Sequence, residues 1–171
     1  HGFSISAEAY RDGIAHPLNA KIVTRIAASE IDDPVELEAA AEEIRAWIES
    51  APLPVTCVDE IRSALAALGS ESFAVRASRV VEDVPNPAAS GLQQAFLGVV
   101  GLDAVLKTIR QCWSSPWNSR AIYFRHRKKI DQRQVTMAVV VQPMINAEAA
   151  GVMFTANPLT NASDEIHIDA T

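Results

Sequence analysis

Glu165 and Asp169 stand four residues apart in EIHIDA (165–170). If this stretch is a strand, with Ile166 and Ile168 alternating against Glu165, His167 and Asp169, the spacing puts both carboxylates on one face. From Gln134 to Thr171 the chain has no Lys or Arg to neutralise them. A divalent cation with oxygen ligands, Mg²⁺ in particular, would relieve the repulsion. The alternative is a pair of solvated strand residues.

Two further groups could meet a ligand. SFAVRAS (72–78) reads as a short apolar strand with Arg76 at its end, before a loop (79–94) holding two prolines and a glycine. A guanidinium there is suited to a phosphate, and an ion pair with Glu82 or Asp83 is equally open. The Walker pattern GxxxxGK[ST] is absent. Gln142 ends the β-branched run VTMAVVVQ (135–142), which reads as a strand buried on both faces. Its amide and the backbone of Met144 would offer donors and acceptors to an adenine edge. In GVMFTANPLT (151–160), Val152, Met153 and Phe154 read as buried strand. The Thr155, Asn157 and Thr160 cluster around Pro158 is either a strand end or a pocket wall. None of the four histidines stands in a metal-binding or nucleophile–base arrangement, and His126 reads as surface. Cys57 and Cys112 read as inert core thiols.

The elements that must position these groups begin with helices. Ser6 caps the first, and Asp33-Pro34 opens VELEAAAEEIRAWIES with a capping side chain and a proline at the first helical position. Val35, Leu37, Ala41, Ile44, Trp47 and Ile48 form its apolar stripe. After APLP (51–54), Val58, Ile61, Leu65 and Leu68 mark another helix ending at Gly69. Residues 101–115 and 117–129 read as two more. The order of helices, then a mixed region, then strands predicts an α+β fold: a helical segment (1–70), a strand, loop and helices (71–133), and terminal strands (134–171).

Composition excludes some partners. The net charge of −6 over 171 residues argues against nucleic acid, and no apolar run reaches the roughly 18 residues of a membrane span. A cytoplasmic location is the default. Residues 29–60 carry ten acidic residues and one Arg, while 120–133 hold six Lys/Arg, read as a solvated helix face rather than a phosphate site. The lack of an initiating Met predicts a fragment.

The stretches from SFAVRAS to AIYFR (72–125) and from TMAVVVQPM to EIHIDA (136–170) resemble the N-terminal nucleotide-binding domain of phosphoenolpyruvate synthases, pyruvate phosphate dikinases and rifampicin phosphotransferases. GVMFTANP is the most specific part. The resemblance implies an ATP-grasp fold, a helical part followed by a mixed or antiparallel sheet, with ATP and Mg²⁺ as ligands. Arg76 would contact the phosphates, Gln142 and Met144 the adenine, and Glu165 and Asp169 the phosphate and metal end. ATP's β-phosphate would pass to a phosphohistidine domain and then, at a phosphoenolpyruvate-binding domain, to pyruvate or another small acceptor.

The chain also departs from the family pattern. Ala77 replaces a serine, Arg79 and Val80 stand where small or hydroxyl residues are usual, and Leu92 replaces a glutamine. A phosphate-binding lysine segment and a glycine-rich stretch that would flank the chain are not in it. No residue of this chain is therefore assigned a catalytic role, and the fragment alone is expected to be inactive. A degenerate nucleotide-binding or interaction module is the alternative.

Overall fold

The computed structural model describes residues 1–79, 94–160 and 162–171, and for Arg79 the backbone alone. Leu92, Val80, Glu82 and Asp83 lie outside the described residues.

The helices follow local chemistry. Ser6 accepts a hydrogen bond from Ala9 N and starts α1 (Ala7–Tyr10), which runs through a π-type turn (Arg11–Ala15) into α2 (His16–Ala27). Asp33 accepts from the N–H groups of Val35 and Glu36 at the head of α3 (Pro34–Ser50), satisfying donors that a helix start otherwise leaves bare. Leu37, Ala41, Ile44 and Ile48 are buried as the stripe requires. Val35 is not: it is 80% exposed, because the first turn of α3 projects beyond the packed interface. Trp47 is half-buried, with the Lys21 ammonium 3.7 Å from its ring centroid.

Helix α4 (Val55–Leu68) ends where Gly69 turns left-handed at φ 61°. Gly69→Ala is expected to cost about 1–2 kcal/mol through φ alone, since a Cβ there meets nothing within 4 Å. An unchanged denaturation midpoint would contradict this. Helices α5 (Leu102–Ser114) and α6 (Ser119–Arg127) are joined by a 3₁₀ turn at Ser115–Trp117. No described helix is long and apolar enough to cross a membrane.

A four-stranded sheet carries the order β1-β4-β2-β3, antiparallel throughout, with β1 at Phe3–Ile5, β2 at Ser72–Arg79, β3 at Ala95–Val100 and β4 at Met137–Pro143. Phe73, Val75, Ala77, Met137, Val139 and Val141 point to the helices and join their core. Tyr10, Ile14, Ile22, Ile44, Ile109, Trp113, Trp117 and Ile122 complete that core. The expected burial of β4 on both faces is corrected. Its burial alternates, and Ala138, Val140 and Gln142 lie on the side the helices leave open.

A separate two-stranded ribbon pairs β5 (Gly151–Phe154) with β6 (His167–Ala170). The expectation that Val152, Met153 and Phe154 are buried is overturned: they are 56%, 61% and 43% exposed. A two-stranded ribbon has no second layer of its own to cover either face. The α+β architecture itself stands as expected.

Candidate functional site

The open face of the sheet follows from register. Ala74 lies opposite Gln142, and Arg76 opposite Val140, on adjacent strands. Directly paired residues point to one side, so Arg76 and Gln142 share a face as diagonal neighbours, roughly 7–8 Å apart at the backbone. Both side chains are exposed, and Ser78 and Ser4 share the face through their partners Ala138 and Val140. A guanidinium, an amide and two hydroxyls thus stand around a floor of Ala74, Ala138 and Val140. That arrangement can hold an anion at one end and a hydrogen-bonding ring edge at the other.

Several expectations are corrected in detail. Arg76 does not end its strand. It is the fifth of eight residues in β2, because pairing with β4 continues to Arg79–Met137. Gln142 neighbours β2 and β1, while Asp169 belongs to the separate ribbon. The N–H of Met144 is not free for a ligand: it donates to Ser72 O at 2.8 Å, extending the sheet. Its side chain remains 38% exposed.

Glu165 and Asp169 do not lie on one strand. Pairing of β6 begins at His167, and Asp169 pairs with Val152, whereas Glu165 lies in the irregular segment between the Ser163-Asp164 turn and that strand. The cause is the local chemistry of Asn157. Its side-chain oxygen accepts from Leu159 N and Thr160 N, and its Nδ2 donates to Glu165 Oε2 at 2.7 Å. That bond holds Glu165 to the NPLT turn instead of to β5. Among the described residues, the one group of three acidic or other metal-binding side chains with converging atoms is Glu30, Asp33 and Glu36. There the Asp33 carboxylate already caps α3.

Ala77, the departure nearest Arg76, is 4% exposed and pairs with Val139 on the helix-covered side. The basic run is mostly solvated, as expected, His126 is exposed, but Arg125 is buried. It donates to Gln132 Oε1 at 2.6 Å and to Pro116 O at 2.8 Å, and lies 5.0 Å from the Trp117 ring. Burial pushes the Cys112 thiol up to about 12 and raises that of Cys57, which suits unreactive thiols. A depression of about 420 Å³ lined by Arg62, Leu65, Glu71, Phe73, Val100 and Leu102 includes neither Arg76 nor Gln142.

The sequence reading missed β1 and β3, and with β1 it missed Ser4; Ser78 it left unassigned. Counting in twos from Arg76 along β2 finds Ser78. Nothing in a three-residue strand next to a helix cap announces Ser4.

The family model described as the pyruvate phosphate dikinase AMP/ATP-binding domain matches residues 1–171. The phosphoenolpyruvate synthase of Pyrococcus furiosus is 38% identical over 161 residues, covering 91% of this chain and 20% of that protein. The rifampicin phosphotransferase of Streptomyces sviceus is 36% identical, covering 99% of this chain and 20% of that protein. The probable phosphoenolpyruvate synthase of Methanocaldococcus jannaschii is 34% identical, covering 98% and 15%. The chain thus spans about a fifth or less of the length of these relatives. Matched from end to end, it belongs to the pyruvate phosphate dikinase AMP/ATP-binding domain family.

Proposed function

We propose that the chain is the ATP-binding portion of a phosphoenolpyruvate-synthase-like phosphotransferase. The observation that carries this reading is the placement of Arg76 and Gln142 on adjacent strands of one open sheet face. ATP lies along that face, with its base edge against the Gln142 amide and the Met144 side chain, and its phosphates toward the Arg76 fork. Ser78 and Ser4 offer hydroxyls beside it. The β-phosphoryl group then passes to a histidine of a phosphohistidine domain, with AMP leaving and the γ-phosphoryl group released to water or phosphate, and on to pyruvate or another small acceptor at a phosphoenolpyruvate-binding domain. Both domains would belong to the remaining four-fifths of proteins such as the Pyrococcus relative.

The substitution at Ala77 does not favour an inactive module, since the position faces the helix-packed core. A hydroxyl lost there is not lost from the ligand face. Labelling tests the transfer. ATP labelled at the β-phosphate should leave acid-labile label on a histidine of the full-length parent. Absence of label under conditions where ATP binds would sink the reading.

Mg²⁺ belongs to the same proposal. The carboxylates of Glu165 and Asp169 are hard oxygen donors of the kind it takes, in a stretch without Lys or Arg. Separated as they are, they hold it only with nucleotide phosphates completing the shell, and the ion would neutralise phosphate charge. ATP with Mg²⁺ should therefore stabilise the full-length parent by roughly 2.7 kcal/mol at a hundredfold excess over Kd. Asp169→Asn is expected to remove most of the Mg²⁺-dependent part of that gain and spare metal-free ATP binding. Thermal denaturation with and without the metal decides it, and an unchanged Mg²⁺ dependence would remove Asp169 from the site.

A further inference from the structure

We infer that Gly2 is a positioning residue for the Gln142 amide; this rests on the base-reading role proposed for Gln142. Gly2 lies one residue before β1, beside the end of β4. A Cβ built on it would stand 2.9 Å from Gln142 Cγ and 2.7 Å from Val141 O. Carbon atoms do not approach that closely without one of them moving. The Gln142 side chain therefore rests on bare backbone, in the space that any other residue at position 2 would fill. Glycine is the residue that permits such an approach.

The consequence is directional. Gln142 is exposed, and the residues around it on its own face constrain it little: Ala74 directly across on β2, Val140 two residues back along β4, and Arg76 and Ser4 diagonally, each paired with Val140. None of these is a polar side chain directly opposite it that would pin its amide. What sets the path of the chain at Cγ is the vacancy at Gly2 on one side. A methyl group there pushes the side chain off β1, and the amide moves with it. The phosphate end, two residues away at Arg76, is not touched by that displacement.

Calorimetric titration of the full-length parent with ATP and with inorganic tripolyphosphate tests this. Gln142→Ala and Gly2→Ala should each weaken ATP about tenfold, the size of one net hydrogen bond, and change tripolyphosphate by less than about twofold. The double variant should bind ATP no more weakly than Gln142→Ala. It should also regain part of the Tm lost in Gly2→Ala, because truncating Gln142 vacates the place of the new methyl. Equal losses for ATP and tripolyphosphate in Gly2→Ala, additive losses in the double variant, or unchanged ATP affinity in Gly2→Ala would overturn the inference. If Gly2→Ala is too unstable to titrate, the double variant still has to match Gln142→Ala, and a further loss overturns it. Unchanged ATP affinity in Gln142→Ala has a different meaning: it removes the base-reading role itself, and the inference with it.

Discussion

Arg76→Ala in the full-length parent is expected to weaken ATP binding about 30- to 100-fold, with little change in the stability of the unliganded protein. A charge-assisted hydrogen bond to phosphate contributes on the order of 2–3 kcal/mol, which sets that range. Arg76 is exposed on the open face, so its removal leaves no cavity in the core. Arg79→Ala should cost less. Arg79 lies three residues further along the same strand, its backbone in register with Met137 and farther from Gln142. Arg76→Lys should fall between, keeping the charge and losing the fork. Calorimetry on the three variants checks the order, and equal losses for Arg76→Ala and Arg79→Ala would take Arg76 out of the site.

Trp117→Ala should produce the largest loss of stability. The ring is 2% exposed, its Nε1 donates to Tyr10 Oη at 3.0 Å, and the Arg125 guanidinium lies over it. Removing a buried Trp costs about 3–5 kcal/mol from lost burial and the cavity left behind. The Tyr10 hydroxyl, whose burial pushes its pKa up to about 12, would also lose its donor. For a domain of this size the loss corresponds to a fall in Tm of roughly 6–20 °C in scanning calorimetry. Tyr10→Phe keeps the packing and strands only the indole N–H, at about 1–3 kcal/mol. A Tyr10→Phe effect as large as that of Trp117→Ala would show that the hydrogen bond, not the packing, carries the contact.

The parts of this molecule legible in its sequence are those with local causes. Asp33-Pro34 and Gly69 mark helix ends by chemistry that acts within a turn, and the helices they bound are where those signals put them. The polar end of a β-branched run pointed to Gln142, whose side chain is exposed on the open face of the sheet, though the family resemblance was needed to name a ligand for it. Non-local features were harder. Whether β4 has one covered face or two depends on which helices reach it, and the run VTMAVVVQ carries no sign of that. The alternation around Glu165 and Asp169 suggested one strand face from periodicity alone, but the strand begins only at His167, and Asn157, eight residues before Glu165, holds that carboxylate through a hydrogen bond. Competition of that kind between a turn side chain and a ladder is invisible to a count of residues. Ala77 shows the same limit from the other side: a departure that looked functional in the sequence is turned into the core by the pleat.

The pairing of β1 with β4 joins the two ends of the sheet's span, Phe3 with Val141. A ribosome releases the first of these strands long before the second. Until residue 143 has emerged, Phe3–Ile5 has no neighbour and β2 lacks the strand that separates it from β1. Closing so long a loop is slow, and it comes after the helices, whose contacts are mostly nearer in sequence, can already have formed. The open face carrying Arg76 and Gln142 is therefore the last part of the sheet to come into being during synthesis. A nascent chain cannot bring Arg76 and Gln142 together on one face until β4 has been made.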